Sequence, residues 1–192
     1  MGESPPTKEV AFIGRRRVAL WLLALSVVGL AAWTDWRSRR ILNRLTVPAV
    51  ILGVAANSLL NGWTGTKAAL AGAGLMLLLF LPMVWLRALG AGDGKLMVAL
   101  GAFLGPSQVV AVLFGAVLIS GLMAVVMIVR REKVKETLRN MGELVKGFAV
   151  FGFRPHPVLR LENQQLSSVP FGVAAAMATL ICFGGIAFVG KF

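Results

Sequence analysis

Residues 90–108 read GAGDGKLMVALGAFLGPSQ, with Asp93 set between Gly92 and Gly94 and a break at Gly105-Pro106. Between them lies a short apolar run, Leu96 to Leu104. Its nine residues would make roughly 14 Å of helix, about half a hydrocarbon core. Either the helix begins further back, within Gly92-Asp93-Gly94, or this run does not cross a bilayer. The flanking runs are longer: Val18–Trp33, Leu45–Leu60 and Ala68–Leu86 before it, Val109–Val129 and Val169–Val189 after it. Each of these approaches the roughly 20 residues that cross a membrane. Backbone polar groups have no partner in lipid, so such runs must be helices.

Composition points the same way. Of 192 residues, 57% are hydrophobic and 15% charged, and the mean hydropathy is +0.80. A soluble domain carries about 25% charged residues. The expected fold is therefore an all-α polytopic membrane protein of about six transmembrane helices. The single cysteine, Cys182, excludes an internal disulfide and a cysteine-based zinc cluster. One His and one Cys without a carboxylate cluster give no zinc site, so no metal and no cofactor is expected. The net charge of +12 reads as loops that obey the positive-inside rule, not as a nucleic-acid surface. The start, with Glu3, Pro5, Pro6 and Glu9, carries no signal-peptide pattern. Residues 1–17 read as a polar tail and 18–192 as one membrane domain. Trp21, Trp33, Trp36, Trp63 and Trp85 lie mostly near run ends, as in an aromatic belt.

Charge counting leaves two topologies. Six crossings put 14 basic residues on one side and 6 on the other; five crossings split them 7 against 13, with the opposite orientation. Both satisfy positive-inside. Residues 131–152 form a different segment. Val134, Leu138, Met141, Val145 and Phe148 recur at helical steps as one apolar stripe, with Arg131, Lys135, Arg139 and Lys146 elsewhere on the helix. This is the pattern of an amphipathic helix on the anionic inner leaflet, or of a partner-docking helix. The loop 153–168 follows, and its lone His156 reads as a loop residue.

Only two of the eight acidic residues are Asp, and both sit at membrane boundaries. Asp35 closes the first run, and Asp93 lies two crossings later, so parity puts both on one side in either topology. Each has an ordinary explanation: Asp35 as an ion-pair partner of Arg37, Arg39 or Arg40, Asp93 as a helix N-cap. Carboxylates near an apolar core are costly, however, and mark functional sites by default. Gly90, Gly92 and Gly94 would give an irregular turn holding one carboxylate against a wet cleft. Two carboxylates that meet cannot both ionise cheaply, so one keeps a proton and the pair can act as general base and general acid. A proton or cation site in a non-catalytic membrane subunit or small transporter is the alternative.

These residues resemble a known family. GAGDGKL (Gly90 to Leu96) is similar to the GxGD signature of the type IV prepilin peptidases, which are aspartic proteases of membranes. TDWRSRRILNRLTVPAVILG (Thr34 to Gly53) resembles that family's first-aspartate motif, with Asn43 in place and Leu42 where the family usually has Pro. VPFGVAAA (Val169 to Ala176) resembles its entry to the final span. The resemblance implies six spans, an active face toward the cytoplasm, and Asp35 and Asp93 as the catalytic pair. It implies cleavage of a short basic leader, after a glycine, from prepilin-like substrates anchored in the inner membrane. The cysteine-rich domain that N-methylates the product in larger members has no counterpart here, so the chain is similar to the short form, with protease activity alone expected. Lys95, Arg40 and Asn43 flank the pair as candidate substrate or pair-tuning residues. The partners implied are the bilayer and the substrate, with no nucleic acid; oligomeric state is left open.

Overall fold

The computed structural model describes residues 7–38, 43–86, 90–130 and 170–189. All regular structure among them is helical. In chain order the helices are α1 Thr7–Ser38, α2 Asn43–Trp85, α3 Ala91–Leu104, α4 Pro106–Arg130 and α5 Phe171–Val189. Three of them are long and apolar enough to cross a membrane, over Arg15–Arg37, Arg44–Trp85 and Pro106–Met127, and Phe171–Gly185 is a shorter apolar helix. The chain is a membrane protein of the all-α class. The amphipathic segment 131–152, the loop 153–168, and Arg39 and Arg40 lie outside the described residues. α1 starts at Thr7, within the polar tail. Helix begun just after Pro5-Pro6 continues through Arg15 to Arg17 into the apolar run.

α2 is two helices in one. Gly62 takes φ 61° and ψ −147°, outside helical geometry, a conformation that glycine adopts without steric cost. Ser58 Oγ and Thr66 Oγ1 lie 2.7 Å apart, whereas eight residues of straight helix would separate them by about 12 Å. Gly65 likewise packs against the Asn57 carbonyl. The chain therefore folds back at Gly62, and residues 43–61 and 63–85 are the two arms of a hairpin. The two runs expected from the sequence are present, joined with almost no loop.

The short run is resolved as the centre of the bundle. α3 starts at Ala91 and runs 14 residues, about 21 Å, so it is shorter than the roughly 30 Å of hydrocarbon around it. Gly94, Leu96, Met97 and every residue from Ala99 to Leu104 are buried. The second arm of α2 runs antiparallel to it. Gly94 abuts Phe80, where an added methyl would lie 3.2 Å from Phe80 Cβ, and Gly101 abuts Gly72, where an added methyl would lie 2.6 Å from the Gly72 carbonyl carbon. That glycine pair lets two backbones touch. The first arm runs parallel to α3 on another side. Its Asn57 Nδ2 donates to Ala102 O and Phe103 O, each at 2.9 Å, and so satisfies carbonyls that the end of a helix leaves open.

Gly105, at φ 77°, turns the chain from α3 into α4. α4 and α5 cross near Gly115 and Ala178, and α5 packs antiparallel to α1, with Trp21 and Phe183 ring centroids 6.0 Å apart. Counting the hairpin arms separately, the six helical segments among the described residues alternate in direction. Each outer helix buries a narrow stripe. On α1 the stripe is Leu20, Trp21, Ala24, Val28, Ala31 and Asp35, at the three- and four-residue steps of one helix face. Leu23, Leu30, Leu78, Phe114 and Leu122 are exposed outside it, an apolar surface far larger than a soluble monomer carries. Trp33, Trp36, Trp63 and Trp85 are exposed at the two ends, as a belt requires; Trp21 is the exception, a core residue only 2% exposed.

The Gly72–Gly101 contact gives a test. Gly101→Val has no space and should destabilise the protein by about 3 kcal/mol. Gly74→Val, with nothing within 4 Å of a new Cβ, should leave thermal unfolding in detergent unchanged.

Candidate active site

The last buried residue of the α1 stripe is a carboxylate. Asp35 is 7% exposed, and its Oδ2 accepts a hydrogen bond from the Gly172 backbone N–H at 2.7 Å. Gly172 is the second residue of α5, where backbone N–H groups have no partner inside their own helix. An anion at such a helix start is also favoured by the helix dipole.

Asp93 arrives from the centre of the bundle. It is the third residue of α3, so it is not the N-cap that its sequence position suggested; Gly90 is, with φ −65° and ψ 131°. The glycines around it also differ from expectation. Gly92 and Gly94 are helical and Gly90 is extended, so none of the three forms an irregular turn. The apolar run draws the helix back through them, and Asp93 N and Gly94 N both bond to Gly90 O, at 3.2 and 3.4 Å. What the glycines supply is space: a methyl on Gly90 would lie 3.1 Å from Asp93 Oδ2.

The topology brings the two carboxylates together. The end of α1, the start of α3, the end of α4 and the start of α5 share one end of the bundle. There Asp35 and Asp93 lie close enough for like-charge repulsion between them. The site is recessed. Gly94 sits level with Phe80, and α2 continues five residues further, to Trp85, about 7 Å along its axis. Arg37, Arg44, Lys95 and Arg130 are exposed towards the same end, so the two acids stand in cationic surroundings. Of the flanking candidates, Asn43 is the first residue of α2, Lys95 is exposed on α3, and Arg40 falls outside the described residues.

A cavity of about 510 Å³ opens beside Asp35, lined by Asp35, Trp36, Leu122, Met123, Val126, Met127 and Pro170. Among the described residues of this lining, Asp35 is the only charged group. Neither Gly172 nor the α4 wall stood out in the sequence as part of a site. The Pro170-Phe171-Gly172 motif was the available signal for the first; the second is hidden in a uniformly apolar helix. Among the described residues no group of three or more His, Cys, Asp or Glu is placed to hold a metal ion.

The cavity should be wet where its wall would otherwise look like lipid-facing helix. In a Cys182→Ala background, Met123→Cys should react with a small water-soluble thiol reagent several-fold faster than Leu118→Cys, which is exposed on the outer face of the same helix.

A model of the type IV leader peptidase family matches residues 22–125. That stretch includes both aspartates and more than half of the chain. No curated protein matches it, and no solved structure does.

Proposed function

The chain belongs to the type IV leader peptidase family, and on that premise we propose that Asp35 and Asp93 are its catalytic pair. The family cleaves leader peptides from prepilins, so a peptidase acting on such precursors is the general activity. The observation that carries the assignment is that these two carboxylates, from helices far apart in sequence, stand at one recessed end of the bundle within reach of each other's charge.

Two carboxylates in one site share a proton, one ionised and one neutral. The ionised member takes a proton from a water as its oxygen attacks the scissile carbonyl carbon. The neutral member hydrogen-bonds the developing oxyanion and then delivers its proton to the leaving amine as the C–N bond breaks. The pair ends with one proton, as it began. Water is the nucleophile, and no covalent intermediate is required.

The end that carries the pair also holds Arg37, Arg44, Lys95 and Arg130. With six crossings it is the side with the larger basic count. By the positive-inside rule this end faces the cytoplasm of an inner membrane. The substrate would be a prepilin or pseudopilin whose short basic leader lies on that side and whose apolar helix lies in the bilayer. Lys95, with Arg40 and Asn43 near the first aspartate, is suited to hold the leader backbone or tune the pair.

Co-expression with a short prepilin from the same genome tests the reading by the size shift on cleavage. Asn keeps the shape of Asp and removes its titratable proton. Wild type should cleave, and Asp35→Asn and Asp93→Asn should each lose at least about a thousandfold in rate at equal protein level, as removal of an essential group in a coupled unit does. Cleavage by either variant at the wild-type rate would return the pair to the cation-site reading.

A further inference from the structure

The Pro170-Phe171-Gly172 motif has no part in the chemistry above, yet it touches it. Pro170 precedes the helix, and its carbonyl accepts from Val173 N and Ala174 N at 3.2 and 3.4 Å. A residue in this position normally caps the first free N–H groups with a side-chain oxygen, as Ser, Thr, Asp or Asn does. Proline has no such oxygen. The cap of α5 comes instead from another helix: Asp35 Oδ2 takes the Gly172 N–H at 2.7 Å, across 137 residues of chain.

The missing side chain matters as much as the N–H. A methyl on Gly172 would lie 3.0 Å from both Asp35 Cβ and Asp35 Oδ2, and 3.4 Å from Ala31 O. The two nearest atoms belong to the carboxylate residue itself, and the third is α1 backbone. α1 cannot give way without moving its buried stripe, so the new methyl would push the Asp35 side chain out of its place. A hydrogen bond to a charged acceptor is short and directional, and it is made here only because the α5 backbone comes this close.

We propose that Gly172 is the positioning residue for Asp35, holding the carboxylate in register with Asp93 through its backbone N–H and its absent side chain. This rests on the functional reading above, in which Asp35 is a member of the catalytic pair. A bare packing role for Gly172 makes a different prediction. Gly115 supplies the comparison: a methyl there would lie 3.2 Å from Ala178 Cβ, a tight α4–α5 contact, slightly looser than that at Gly172, that does not touch Asp35. Gly184 supplies the blank, with nothing within 4 Å of an added Cβ on the same helix as Gly172.

The test uses the full chain in lipid nanodiscs with a membrane-anchored precursor carrying a short basic leader. Gly172→Ala should lower kcat about tenfold to a hundredfold, the worth of one hydrogen bond to a charged group, with KM unchanged. It should also displace the pH–rate profile by about half a unit or more, because altering the contact of one member alters the titration of the coupled pair. Gly115→Ala and Gly184→Ala should keep kcat within about twofold, and their pH profiles should superimpose on the wild type's. Equal losses in Gly172→Ala and Gly115→Ala, or an unshifted pH profile in Gly172→Ala, would overturn the proposal. A second measurement needs no change at Gly172. In glycine-labelled protein the Gly172 amide proton should lie downfield and move upfield in Asp35→Asn; an unmoved resonance contradicts the contact. Failure of the functional reading looks different, since Asp35→Asn would then cleave as the wild type does.

Discussion

Two backbones in contact hold this structure together. Gly72 and Gly101 bring the second arm of α2 against α3 with no side chain between them, and Asn57 of the first arm binds the far end of the same helix. In lipid the hydrophobic effect does not draw helices together, so close packing and interhelical hydrogen bonds must do it. The hairpin thereby grips α3 along its length. A 14-residue helix held at its far end cannot reach the rim of its longer neighbours. Its first turn is recessed, and so is the carboxylate on that turn.

From that recess follows the character of the site. A carboxylate at membrane depth is expensive unless its surroundings are polar or wet. Asp35 meets this cost with a helix-start N–H from α5, beside a cavity that Trp36 and Pro170 also line. Asp93 lies in the first turn of its own helix, where negative charge is favoured. Both acids thus stand at helix starts, and the repulsion between them is what the proposed shared proton would relieve. Around them the outer faces of α1, α2 and α4 stay apolar, which confines the polar chemistry to one end of the bundle.

Much of this was legible from residue pattern. The apolar runs located the helices, and parity placed Asp35 and Asp93 at one end whether the chain crossed five times or six. Local pattern misled where tertiary packing decides. Gly90, Gly92 and Gly94 read as a turn because glycine is a poor helix former, yet the helix runs through Gly92 and Gly94, because the apolar run draws it back and a side chain at Gly94 would crowd Phe80. Trp21 read as a belt residue and is core, because α1 begins well before its apolar run and carries Trp21 inward against Phe183. Gly172 was invisible as a site residue because its contribution is a backbone N–H whose partner is 137 residues away.

The central claim is that one chain holds both halves of a single two-carboxylate site. Co-expressing Asp35→Asn with Asp93→Asn, beside a precursor that the wild type cleaves, tests it most directly. If each chain builds its own pair, every site in the mixture lacks one carboxylate, and the precursor stays uncleaved. Restored cleavage would mean that a functional pair forms between two chains, and would contradict the account.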